Sequence, residues 1–141
     1  MSKCMRLLSV LCGALILQVS VVVRAGNDDW RPVAEQVISE LDVALSSYQA
    51  GHAQEARRSV IQAYFGPFEG EKMEAAIRSQ FGIEPAFLVE RQFGALRKAI
   101  KQGAEQSDVI QLTEGLKQAL REQAGKLNEA GVSRNVFEVN Q

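Results

Sequence analysis

The chain has 141 residues, 46% of them hydrophobic and 23% charged, and its 16 basic and 17 acidic side chains leave a formal charge of −1. A balance this close to neutral lacks the basic excess of a nucleic-acid binder. Two cysteines and one histidine are too few for a disulfide framework or a zinc cluster, and the length suits one modest domain.

The N-terminus reads as an export signal. Lys3 and Arg6 precede an apolar run from Leu7 to Val23, and Val23-Arg24-Ala25 puts small or aliphatic residues at the −3 and −1 positions of a cleavage site after Ala25. A basic start, an apolar middle and a small-residue exit are the secretory pattern. The alternative is an uncleaved anchor, for which the run falls slightly short of the ~20 apolar residues that span a bilayer. Cys12 follows Leu11 in the middle of the run, whereas a lipoprotein site needs a small residue before a cysteine at the end of it. Cleavage removes Cys4, Cys12, Lys3, Arg6 and Arg24, and leaves 13 basic against 17 acidic side chains, a formal charge of −4. The product, residues 26–141, is a thiol-free extracytoplasmic (periplasmic) domain held by packing alone. Its mild acidity suits cations or basic protein surfaces, and solubility alone explains it equally well.

The rest of the chain has helical periodicity. Gly26 to Asp29 reads as a short flexible start. Val33, Val37, Leu41, Ala44, Leu45 and Tyr48 recur at three- and four-residue steps, so a first helix runs from Trp30–Pro32 to before Gly51. A second starts near Ala53, turns Ala56, Val60, Ala63 and Tyr64 inward, and is stopped by Gly66-Pro67. A short third follows Gly70 with Met73, Ile77 and Phe81 on its buried side. Gly82 and Pro85 separate it from a fourth, whose stripe is Val89, Phe93, Leu96 and Ile100. Ser107 is the expected N-cap of a fifth, with Asp108 in its first turn and Val109, Leu112, Leu116, Leu120, Ala124 and Leu127 along one face. The tail holds Val132, Val136, Phe137 and Val139, either packed back or frayed. No alternating β-branched run appears. The expected fold is all-α, an antiparallel bundle of four to five helices. Ala44 to Phe65 has the rhythm of one tetratricopeptide hairpin, but without a second copy there is no solenoid.

Candidate chemistry is sparse. His52, beside Gly51 at a helix turn, has no nucleophile or acid partner in the pattern, and a general base needs one. No enzyme is expected. The densest stretch is Tyr64 to Glu74, where two helix ends, three aromatics and the carboxylates Glu69, Glu71 and Glu74 crowd together. Glu69 and Glu71 suit the N-terminal dipole of the third helix, and Glu74 and Arg78 are spaced for a helix-surface pair. The functional alternative is that Glu69, Glu74, Glu90 and Tyr64 supply oxygen ligands for a hard cation between helices. The Glu-x-x-His signature of a di-iron bundle is missing.

Along this stretch the chain resembles a known family. Tyr48-x-x-Gly51, Ala56, Gln62-Ala63-Tyr64-Phe65-Gly66-x-Phe68-Glu69, Met73-Glu74-Ala75-Ala76-Ile77, Glu90-x-x-Phe93-x-x-Leu96-Arg97 and Ile100-x-x-Gly103 look like the extracytoplasmic helical domain of some bacterial FTR1-type iron permeases. The likeness spans roughly residues 44–122. The permeases' Arg-Glu-x-x-Glu membrane helices have no counterpart here; Thr113-Glu114-Gly115-Leu116 lies on an amphipathic helix with no arginine before the glutamate. The resemblance therefore implies a free-standing periplasmic accessory or binding module of iron uptake, with iron as the possible metal. It implies docking on a membrane permease or other periplasmic protein; the charge balance points to no nucleic-acid partner, and membrane contact is expected only through the N-terminal segment if retained. The competing expectation is a structural or protein-interaction bundle without metal or catalysis.

Overall fold

The computed structural model describes residues 28–137; the export segment 1–25 with its cleavage site, and Val139, lie outside the described residues. Among these residues the chain is all-α, with no strand. The helices are α1 (Arg31–Gln49), α2 (Ala53–Ala63), α3 (Met73–Phe81), α4 (Ile83–Gln102) and α5 (Gln106–Glu129). A π-helical turn, Tyr64–Phe68, extends α2, and a 3-10 turn, Arg134–Phe137, follows α5. No described helix is long and apolar enough to cross a membrane.

The apolar stripes set the packing. α1 lies between α2 and α5, and α4 packs on α5, α3 and α2. Cross-links between α1 and α5 run in reverse order along the two helices: Trp30 to Asn128, Glu35 to Arg121, Asp42 to Lys117. That order makes the pair antiparallel. At the far end the Tyr48 hydroxyl donates to the Ala104 carbonyl, pinning the end of α1 to the α4–α5 turn. Leu41, Phe68, Met73, Ile77, Leu96, Leu116 and Leu120 are buried in one core, each worth roughly 1.5–3 kcal/mol against an exposed reference.

Four local expectations need correction. Gly66-Pro67 does not stop the second helix: Pro67 sits inside the π turn, and helical backbone continues through Glu69 and Gly70. Proline lacks a donor and crowds the carbonyl four residues back, and the i→i+5 spacing of a π turn lets the ladder step past it. The chain reverses instead at Glu71–Lys72, where Lys72 takes φ 65°. Pro85 does not separate helices either, because it occupies the first turn of α4, where no N–H is needed. The break falls at Gly82 alone, with φ 94° and ψ 179°, a conformation open essentially only to glycine.

Ser107 is not the cap of α5, which starts from Glu105 with no side-chain cap bond; Asp108 does lie in its first turn. Lastly, the start of the domain is tied down. Asp28 accepts from the Ser133 hydroxyl at 2.6 Å and from the Arg134 backbone N–H. Asp29 accepts from Arg31 and, at 2.7 Å, from Asn128 Nδ2. The Arg31 guanidinium holds the Asp29 carboxyl well below the usual carboxylate range. Val132 packs against the core and its carbonyl accepts from the Trp30 indole at 2.8 Å.

Candidate binding corner and cleft

The π turn creates the corner. It carries Tyr64 and Phe68 onto Phe93 of α4, with ring centroids 5.2 and 5.3 Å away, and Tyr64 stands 5.7 Å from Phe68. Such tilted and edge contacts add about 0.5–1.5 kcal/mol each beyond area burial. Phe65, edge-on to Tyr64 at 4.9 Å, points outward and is 59% exposed.

All four predicted site residues, Tyr64, Glu69, Glu74 and Glu90, meet here. Burial pushes the Tyr64 phenol up to about 12, helped by Glu69 as hydrogen-bond partner and by the charges of Glu90 and Glu74. Burial also raises the Glu74 carboxyl, against the pull of Arg78, and the neighbouring charge of Glu90 adds to the rise. Arg78 Nη2 pairs with Glu74 Oε1 and lies 3.1 Å from Glu90 Oε1. Glu74 and Arg78 thus form the helix pair expected from their spacing, and α4 joins it through Glu90.

Neither Glu69 nor Glu71 serves the α3 dipole as expected: the first turn of α3 holds only Glu74 among acids. Glu69 belongs to the preceding helical run, which continues through Gly70, and Glu71 pairs with Arg134 at 2.8 Å.

As a resident iron site the corner does not fit. A guanidinium stands between two of the three carboxylates and takes up oxygens that a cation would need. Among the described residues no three His, Cys, Asp or Glu side chains form a set able to hold a metal ion. His52, exposed at the α1–α2 turn, makes no cap bond; its Nδ1 lies 3.4 Å from Glu55.

Beside the corner an open cleft of about 310 Å³ runs between α2 with its π turn and α4, walled by Ile61, Tyr64, Phe65 and Phe93 and by Glu90, Gly94 and Arg97. Gly94 and Arg97 lie off the buried stripe of α4. A signal exists: Ile83, Phe87, Glu90, Gly94 and Arg97 are spaced by four, three, four and three, which puts them on one second face of α4. Ile83 is 74% and Phe87 51% exposed on that face. Compared with known protein families, curated proteins and solved structures, the chain matches none.

Proposed function

We propose that this chain is an exported, non-catalytic interaction module allied to iron uptake, acting by contact with other proteins rather than through a resident metal. One observation carries the contact reading: Arg78 occupies Glu74 and Glu90, while Phe65 beside Glu90 and Ile83 and Phe87 on α4 stand exposed. Carboxylates that share one internal guanidinium leave too few free oxygens to enclose a metal ion, and large apolar side chains left outside a closed core favour a protein partner. The export and iron parts rest on the sequence, on the N-terminal run and on the likeness across residues 44–122 to iron-permease extracytoplasmic domains. A permease or another extracytoplasmic protein is the partner this implies.

Cellular iron, measured by mass spectrometry in iron-poor medium, tests the reading. Cells lacking the chain should accumulate less iron, and the full sequence should restore the level. Equal iron with and without the chain would overturn the tie to uptake.

A further inference from the structure

A face of α4 with Ile83, Phe87, Arg97 and Lys101 exposed and Glu90 and Gly94 half-buried between them is self-complementary. Its residues Ile83, Phe87, Glu90, Gly94, Arg97 and Lys101 share one side of the helix. Charge varies along that face about Gly94: Glu90 lies one turn before it, with Arg91 at the flank 5.9 Å from the Phe87 ring centroid, and Arg97 and Lys101 lie one and two turns after. Arg97 is exposed and has no acidic partner among the described residues, while Arg78 engages one oxygen, Oε1, of Glu90. A carboxylate has a second oxygen to offer. At the centre, Gly94 lines the cleft, and a Cβ built there meets no atom within 4 Å. The bundle therefore has no need of a glycine in this helix, although glycine is among the poorest helix formers.

We infer that this face receives a second copy of the chain, two α4 helices crossing antiparallel at Gly94 about a two-fold axis. Running antiparallel brings Glu90 of each copy to the Arg97 and Lys101 end of the other, and the symmetry makes the contact twice. A parallel crossing would set Glu90 against Glu90 and Arg97 against Arg97, so charge selects the antiparallel arrangement. The missing side chain at Gly94 on each copy lets the two backbones approach. Phe65 rims the same cleft and loses its exposure. This inference rests on the reading of the chain as an interaction module and gives that module its own copy as a partner. Leu88, 45% exposed on the opposite side of α4, stays free for contact with a different protein.

Residues 26–141 contain the whole described core, Trp30 to Leu127, so sedimentation velocity on that stretch, from micromolar to near-millimolar concentration, tests the inference. The wild type should pass from monomer to dimer. Glu90→Arg and Arg97→Glu should each raise the dissociation constant by about tenfold or more, and the double variant should recover the dimer. Because Glu90→Arg also disturbs Arg78, Gly94→Leu is the control for folding: it has room in the monomer, so its melting should hold while the dimer is lost. A wild type that stays monomeric throughout overturns the inference, as does a dimer indifferent to Gly94→Leu or a charge swap that fails to recover. These readouts are independent of cellular iron, so the dimer and the uptake reading fail separately.

Discussion

Nη2 of Arg78 lies 3.1 Å from Oε1 of Glu90 and joins α3 to α4 through the same atom that pairs with Glu74. The corner is thus a structural clamp. Replacing Arg78 with leucine leaves two carboxylates facing each other; the side chain is 52% exposed, so solvent screening holds the expected loss to about 1 kcal/mol. Urea denaturation measures it, and acid should shrink it, because protonating either glutamate relieves the repulsion.

The pH dependence of the wild type follows from Glu74. Its carboxyl is raised in the folded protein above the ordinary value of 4.5, so the folded state holds that proton more tightly than the unfolded chain. Stability contributed by this group is therefore present below the unfolded value and lost as pH rises through the folded one. Glu74→Gln should flatten the stability curve between mildly acidic and neutral pH. A slope unchanged by the substitution would contradict the assignment.

Trp30, the single tryptophan, is fully buried and ties the two ends of the domain together through its indole and backbone N–H groups. Trp30→Ala should cost about 3–5 kcal/mol, read by circular dichroism during urea unfolding. Trp30→Phe should recover most of the packing but leave the Val132 carbonyl without its donor, for a cost of about 1–3 kcal/mol.

Lys72 holds φ 65° at the reversal into α3, a left-handed conformation that costs a side-chain-bearing residue about 1–2 kcal/mol. Lys72→Gly should raise the melting temperature, since glycine takes this conformation without the Cβ penalty. A fall in the melting temperature would show that the lysine stem makes contacts that outweigh the strain.

Much of the fold was legible because stripe periodicity survives averaging over a whole helix. The stripes Val33–Val37–Leu41 and Val89–Phe93–Leu96–Ile100 are all buried, and α1 ends before Gly51. What escaped were departures from the ideal helix and contacts distant in sequence. Pro67 reads as a stop, but Phe68 and Tyr64 gain more from reaching Phe93 than a break would give, and the π turn takes them there. Asp28 and Asp29 read as a polar tail because their partners, Asn128, Ser133 and Arg134, lie about a hundred residues away. The crowding of Tyr64, Glu69 and Glu74 is legible from their closeness in sequence. The role of Arg78 as neutraliser of both Glu74 and Glu90 is not, since helix spacing pairs it only with Glu74.

The central claim, contact without a resident metal, is tested most directly by thermal melting of residues 26–141 with and without ferric citrate, ferrous ion and Mn2+. A ligand that binds only the folded state at a hundred times its dissociation constant adds about 2.7 kcal/mol, a shift no melting experiment would miss. The account predicts an unchanged melting temperature with every ion. A saturable rise with iron that disappears in the Glu69→Ala, Glu74→Ala double variant would contradict it.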